Sequence, residues 1–249
     1  MVPTNLIKTH LLIMSTPYQQ KNHQDFGITL NTGAETILPT YSEKLLGGFI
    51  TNDFKFNEHL KDNEQSAFRS LTSRVNALAK ISKISSFKTR KMVANGIVVS
   101  KLIYLIQWWG GCSDYLINFL QILQNRAARL VTRLGWFTPV EVLLHQCGWL
   151  SVRQMVHYHS LVLLFKIKLQ GKPEYFQDKF STDFPYRTRL ATGRGIRREE
   201  QNIHDVSKTS FVPRTTSTWN MLPVHIRSLQ SVPQFKKKLK PWIQENLPI

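Results

Sequence analysis

Residues 113–134 read SDYLINFLQILQNRAARLVTRL, and this stretch indicates the fold class of the chain. Its apolar side chains recur at three- and four-residue spacings, which places them on one face of a long α-helix. Ser113 stands where such a helix would begin. The stretch therefore predicts a long amphipathic helix, and the side chains expected to face the core are Leu116, Leu120, Leu123, Ala127, Leu130 and Leu134.

Two helices are predicted before this stretch. The apolar spacing over residues 57–81 predicts one long helix with a single apolar stripe. A second helix is expected from about Phe87 to Trp108, with Ser86 as its N-cap.

Two further helices are predicted after it. Thr138-Pro139-Val140-Glu141 has the form of a capping box with proline at the first helical position, and Gly148 supplies a stop signal. Ser151 then opens a helix that is expected to end near Gly171.

The first fifty residues have a different pattern. Leu11–Met14, Gly27–Leu30 and Leu45–Ile50 are short apolar or alternating runs separated by turn-rich stretches, which is typical of β-strands. A sheet of only a few strands cannot bury both of its faces. We therefore interpret these strands as the edge of a sheet that continues elsewhere.

The chain is therefore expected to be mainly α with a small N-terminal β portion, an α+β fold. Its last helix opens with a second capping-box sequence at Ser231, and Pro241 is expected to end or kink that helix. The predicted segments are a β segment at 1–56, a helical domain at 57–180, a flexible basic linker at 181–209 and a C-terminal helical module at 210–249.

Net charge is the most informative bulk property. The 249 residues contain 33 Lys and Arg against 16 Asp and Glu, a formal charge of +17. The surplus lies after residue 60, where 29 basic residues face 11 acidic ones. A surplus of this size favours an acidic partner, most commonly a phosphate backbone and next an anionic membrane, although an effect on solubility alone is a third explanation.

Other function classes have little support in the sequence. The two cysteines cannot form a disulfide framework, and no secretory signal or membrane-length apolar run is present, so an intracellular, nuclear or cytoplasmic location is expected. The only adjacent acidic pair is Glu199-Glu200, in the predicted linker. In His145-x-Cys147 and in His157-x-His159 the two side chains of each pair do not share a helix face, so we expect no metal site there. We also expect no cofactor and no catalytic centre.

Basic side chains at helical spacing are the candidate site. Arg126, Arg129 and Arg133 form one stripe beside the apolar face of residues 113–134. Each basic stripe alone would fit a solvated surface, but the scarcity of acids over the same region favours phosphate contacts. The other basic clusters are Lys88, Arg90 and Lys91 near the start of the second helix, with Lys101 further along, and Lys236, Lys237, Lys238 and Lys240 near the end of the chain.

The six tryptophans have two possible roles. Most lie near predicted helix ends, where core packing is the favoured interpretation. Base stacking by one or two of them is the alternative.

Several stretches, taken in order, resemble the carboxy-terminal part of reverse transcriptases from non-LTR retrotransposons of the jockey type. Asn5–Met14 resembles the segment that follows the catalytic strand pair of the palm, and Glu43–Ile50 resembles the primer-grip hairpin. Asp53–Leu60 is similar to the start of the thumb, Leu123–Leu130 to the Leu-Gln-Asn-Arg-Ala-x-Arg signature, and Gly148–Leu150 and Trp219–Arg227 to the tail.

The resemblance implies a palm edge, a thumb-like helical region and a tail, with RNA, DNA or an RNA–DNA hybrid as partner. Lys8 would match the palm lysine near the incoming nucleotide, and Lys44 lies in the grip segment. Gly48 departs from the family, which has a bulky apolar residue there. In the family, the catalytic aspartates that bind Mg²⁺ lie before the segment that Asn5–Met14 resembles. We therefore expect no polymerase activity from this chain alone.

Two alternatives stay open. The first is that the chain is a protein-interaction module retained by a host, which docks through residues 210–249 on another protein or on the missing polymerase portion. The second is that it is a decayed reading frame with no activity.

Overall fold

The computed structural model describes residues 9–15, 18–19, 27–32, 36–176, 178–180, 195–197 and 209–249. The chain forms two compact units, Met1–Ser70 and Leu71–Ile249. The described residues are mainly helical, with a few short strands near the N-terminus, which confirms the predicted class of a mainly α protein with a small β portion. In chain order the helices are α1 (Ala67–Ser82), α2 (Phe87–Ala94), α3 (Ser100–Ile103), α4 (Ile106–Trp109), α5 (Asp114–Thr132), α6 (Val140–Cys147), α7 (Val152–Gln170), α8 (Phe211–Met221), α9 (Val224–Arg227) and α10 (Val232–Asn246).

The described residues of the N-terminal unit form three two-stranded pairings. The best formed is an antiparallel hairpin, whose turn residues Leu46 and Gly47 both have positive φ, as a tight hairpin turn requires. The predicted strand regions each contain a strand or a part of one, although most are only two residues long. The strands are β1 (Leu11–Leu12), β2 (Leu30–Asn31), β3 (Thr36–Ile37), β4 (Pro39–Thr40), β5 (Ser42–Leu45) and β6 (Gly48–Thr51), with β1 parallel to β4 and β2 antiparallel to β3.

The prediction of one long helix over residues 57–81 is wrong. A short π-helical segment, Glu58–Asp62, ends at Asn63, whose backbone is extended. The Asn63 side chain accepts a hydrogen bond from the backbone N–H of Gln65 (2.8 Å), which forms a local turn, and α1 begins at Ala67. Apolar spacing continues across the turn, so periodicity alone does not reveal the break.

The second helix begins where it was predicted but is not continuous. Ser86 caps α2 by accepting a hydrogen bond from the N–H of Thr89 (3.2 Å), as predicted. A π-helical segment, Asn95–Val99, follows, and the helix breaks at Tyr104 and Leu105, where Leu105 is left-handed (φ 54°). The break exposes the Tyr104 carbonyl, which accepts a hydrogen bond from the indole of Trp109.

Helices α5 and α7 form much of the core of the C-terminal unit. Most of the predicted inward positions of α5 are buried, but Leu130 is only half-buried and Leu134, beyond the end of the helix, is exposed. Helix α7 begins with a complete capping box between Ser151 and Gln154 and ends at Gly171, which confirms both predicted limits.

Two other predicted capping boxes do not form. Helix α6 has Pro139 rather than Thr138 at its N-cap and no side-chain cap, although Gly148 ends the helix as predicted, with φ 65°. Helix α10 begins after Ser231, again without a side-chain cap. It also continues through Pro241 to Asn246, so of the two predicted effects of Pro241, an end or a kink, the end is wrong. Pro241 lies on the exposed side, where water can satisfy the carbonyl that loses its partner.

The C-terminal helices pack against α7 within the same compact unit. Phe235 of α10 stacks on Phe165 of α7 with ring centroids 4.0 Å apart, and Trp219 of α8 lies beside both rings. In the predicted linker, Ile196 is buried. Its backbone N–H donates to the side-chain oxygen of Asn220, and its carbonyl accepts from the side-chain amide nitrogen of Asn220. Apart from residues 195–197 and 209, the linker lies outside the described residues.

The tryptophans divide between the core and the surface. Trp109, Trp149 and Trp219 are buried, as core packing predicts, whereas Trp136 is 84% exposed. No helix in the described part of the chain has both the length and the apolar character needed to cross a membrane.

Candidate nucleic-acid interface

Three helix ends meet at one place in the C-terminal unit. The last turn of α1, the last turn of α5 and the segment leading into α2 are joined by two arginines. Arg133, the left-handed residue that ends α5, donates from Nη2 to the carbonyl oxygens of Ser82 and Lys83 (2.9 Å to Lys83). Carbonyls at the end of a helix lack intrahelical partners and carry a partial negative charge, so a guanidinium is well placed there.

Arg90 is the second joining residue and is only 5% exposed. Its Nε donates to the Val131 carbonyl of α5 (2.8 Å), and its Nη1 donates to the Ser85 carbonyl. Burial and then the nearby charge of Arg133 lower the pKa of Arg90, yet an arginine stays protonated at neutral pH. Arg90 therefore joins the end of α5 to the segment that leads into α2, and it is not on the surface that a ligand would contact.

Five basic residues lie on, or directly after, the three helices that meet at this junction. We call these five residues the basic pole: Lys83, Lys88, Arg126, Arg129 and Arg133. Four of them are exposed, and Arg129 is half-buried. The Arg129 Nη2 donates to the Trp136 carbonyl (3.2 Å), while its Nε is buried without a hydrogen-bond partner.

The charge of the basic pole is not compensated within the described residues. Among the described residues of the C-terminal unit, one ion pair forms, between Arg153 and Asp114 (2.5 Å). No residue of the basic pole takes part in an ion pair with another described residue. Uncompensated like charges on one surface repel one another, and a bound anion relieves that repulsion, so this surface favours a polyanionic ligand.

The predicted α2 cluster is divided by the helix. Lys88 and Lys91 are three residues apart and share a face, whereas Arg90 is turned about 200° from Lys88 and points inward. Half-buried Lys91 lies near Lys240, whose Nζ donates to the Gly148 carbonyl at the end of α6 (2.7 Å). Burial and then the charge of Lys91 lower the pKa of Lys240. These two lysines therefore form a second basic group.

The remaining predicted site residues lie in the N-terminal part of the chain. Lys44, on β5, is exposed; its Nζ donates to Gln65 (2.5 Å) and lies over the Phe49 ring (5.6 Å). Lys8 falls outside the described residues.

Lys83 was missed by the sequence analysis. It directly follows α1, and a basic residue there is a signal for a helix end. What the sequence could not show is that this end lies beside the end of α5, more than 40 residues later.

The half-buried side chains of His157 and Cys112 have the properties of structural residues. His157 Nδ1 lies 2.9 Å from the hydroxyl oxygen of Thr218, and burial followed by the charges of Arg214 and Arg153 lowers its pKa to about 4. Burial raises the pKa of Cys112 to about 12, which disfavours the reactive thiolate.

The described residues include no group of three or more His, Cys, Asp or Glu side chains that could hold a metal ion. Comparisons with models of known protein families, with curated proteins and with solved structures find no match to the chain.

Proposed function

We propose that this protein binds nucleic acid without catalysing a reaction, and that the basic pole makes the phosphate contacts. The observation that supports the proposal most strongly is the basic pole itself: five cations around one helix junction, none with an ion-pair partner among the described residues. Arg129 and Arg133 are also held by hydrogen bonds to backbone carbonyls, so less side-chain entropy is lost when they bind.

The chemistry of the pole favours backbone contacts over reading of base sequence. Arginine presents a planar set of N–H donors that matches phosphate oxygens, and lysine adds a mobile point charge. Contacts of this kind give affinity and orientation but little sequence discrimination.

The finer proposal comes from the resemblance to non-LTR reverse transcriptases. We propose that the helical region is thumb-like, that the N-terminal strands correspond to a palm edge, and that in a complete polymerase the pole would hold an RNA–DNA primer–template. In support, the described chain has short strands and a hairpin first and basic helices afterwards, the order that the resemblance implies. Mg²⁺-dependent DNA synthesis belongs to the parent family and is not proposed for this chain.

The test is equilibrium binding to a fluorescent RNA–DNA primer–template with a single-stranded template overhang, measured at several salt concentrations. The pole variant carries Lys83→Gln, Lys88→Gln and Arg126→Gln, all at exposed positions whose side chains form no hydrogen bond or ion pair with the described residues. A matched control replaces the three lysines at 236–238 with glutamine, which removes the same charge from exposed positions of α10.

Wild-type affinity should fall steeply with salt, because each phosphate contact contributes about 0.7 to 0.9 to the slope of log K against log salt. The pole variant should lower that slope by about two, since it removes up to three contacts. The control should keep most of the slope. Equal losses in both variants would contradict the assignment to the pole.

Two other outcomes would replace the proposal. Salt-independent or absent binding would favour the protein-interaction or inactive alternatives. Incorporation of deoxynucleotides on a primed RNA by the purified protein would contradict the non-catalytic assignment.

A further inference from the structure

The loop between α5 and α6 presents two aromatic rings to solvent. Trp136 is 84% exposed and Phe137 is 77% exposed, the highest values for aromatic side chains in the described part of the chain. Their ring centroids lie 6.4 Å apart with the planes at 84°, an edge-to-face arrangement. Large aromatic side chains are usually buried for most of their area, so this pair calls for a ligand-based explanation.

The loop that carries these rings is held in place. The Thr138 N–H donates to the Gly135 carbonyl (3.1 Å), which closes a turn around the two aromatics, and the Trp136 carbonyl accepts from Arg129. The Phe137 ring lies close to Gly135, because a Cβ atom at Gly135 would be 2.7 Å from that ring. Phe137 therefore rests against the Gly135 backbone, and the indole of Trp136 meets it edge to face.

The aromatic pair lies directly beside cations of the basic pole. Arg129 contacts the Trp136 backbone, and exposed Arg133 precedes Trp136 by three residues. An exposed indole on a loop whose backbone binds a guanidinium matches the two parts of a nucleotide, since bases stack on aromatic rings and phosphates bind arginine. A preformed loop favours such stacking because little conformational entropy is lost on binding.

We propose that Trp136 is a stacking platform for an unpaired base, that Phe137 supports it, and that Arg129 and Arg133 bind the adjoining phosphates. The inference rests on the proposed function and adds a preference for the form of the nucleic acid. Bases of a blunt duplex are already stacked on one another, so the platform acts on single strands and on the unpaired overhang of a primer–template.

The test uses wild type, Trp136→Ala, Trp136→Phe and, as a matched control, Tyr175→Ala, which removes another exposed aromatic ring of the same unit. Each protein is titrated against a single-stranded RNA, a blunt RNA–DNA duplex, a strand of equal length and charge that lacks bases, and vesicles that contain anionic lipid. Thermal unfolding of each variant checks that the fold is retained.

Trp136→Ala should weaken binding to the single strand by roughly 5- to 150-fold, which corresponds to the free energy of stacking one base on an aromatic side chain. Trp136→Phe should recover most of the loss, and Tyr175→Ala should bind like wild type. Binding to the blunt duplex and to the strand without bases should be unchanged in Trp136→Ala. The salt slope should also stay the same, because no charge is removed.

Equal losses on the single strand, the duplex and the baseless strand would overturn the stacking assignment. So would a loss confined to binding of vesicles that contain anionic lipid, which would make the rings a membrane contact. The failure of this inference is distinguishable from failure of the proposed function. If wild type binds in a salt-dependent way and Trp136→Ala binds single strands equally well, the stacking inference alone fails. If wild type shows no salt-dependent binding, the proposed function fails as well.

Discussion

Acidification below pH 6.5 should destabilise this protein, because His157 must be protonated inside the C-terminal unit. Its Nδ1 lies 2.9 Å from the Thr218 hydroxyl oxygen, within the contact between α7 and α8. Burial, followed by the positive charges of Arg214 and Arg153, lowers the pKa of His157 from 6.5 to about 4. Each of these effects disfavours the imidazolium in the folded protein.

The sign and size of the effect follow from proton linkage. The folded state binds fewer protons than the unfolded state between pH 6.5 and pH 4, so stability falls as the pH is lowered through that window. A difference of 2.5 pKa units at 1.36 kcal/mol per unit gives a loss of about 3 kcal/mol by pH 4. His159 contributes in the same direction, because burial and then Lys236 lower its pKa.

The assay is urea denaturation from pH 7.5 to pH 4, with the free energy of unfolding extrapolated to water at each pH. His157→Gln keeps a polar group near Thr218 but cannot be protonated, so it isolates the contribution of His157. His145→Gln, at an exposed position of α6, is the control. Wild type and the control should lose about 3 kcal/mol more than His157→Gln over this range. Parallel pH profiles for wild type and His157→Gln would refute the reasoning.

Three further predictions concern packing, capping and thiol reactivity. Phe235→Ala should lower the free energy of unfolding by about 3 to 5 kcal/mol, because the ring is fully buried against Phe165; a loss below 1 kcal/mol in urea denaturation would contradict the packing of α10 on α7. Ser151→Ala should cost about 1 kcal/mol in the same assay, since it removes the N-cap of α7, and an unchanged midpoint would count against the capping box. At pH 8 Cys112 and Cys147 should react with iodoacetamide much more slowly than in urea, because burial raises their pKa values to about 12 and 11; mass spectrometry showing equal rates would disprove their burial.

Helices with strong apolar periodicity and ordinary end signals could be predicted from the sequence. Helix α5 buries Leu116, Leu120 and Leu123 as its spacing indicates, and α7 begins and ends at Ser151 and Gly171. In these cases local propensity, side-chain pattern and tertiary packing agree, so a local reading is sufficient.

Breaks inside apolar patterns could not be predicted, because the apolar spacing continues across them. Leu105 adopts a left-handed conformation within an otherwise helical stretch, and the freed carbonyl of Tyr104 is satisfied by the Trp109 indole. The capping-box sequences at Thr138 and Ser231 also fail, because neither side chain forms the required hydrogen bond. A matching residue type at a helix start is therefore not sufficient for a cap.

The candidate site shows a similar division. The i, i+3, i+7 spacing of Arg126, Arg129 and Arg133 predicted one stripe, and the structure places these residues on the last turns of α5 and at its end. The inward orientation of Arg90 was missed although its two-residue separation from Lys88 indicates opposite faces. The proximity of Lys83 to Arg133 depends on tertiary packing, which spacing along the chain does not encode.

Residue-resolved lysine protection tests the central claim most directly. The protein is treated with a lysine-acylating reagent with and without saturating RNA–DNA primer–template, and modification at each lysine is measured by mass spectrometry. Binding through the basic pole predicts that Lys83 and Lys88 become protected while the three lysines at 236–238 on α10 keep their reactivity. Protection confined to residues 236–238, or no protection at Lys83 and Lys88 in a saturated complex, would contradict the account.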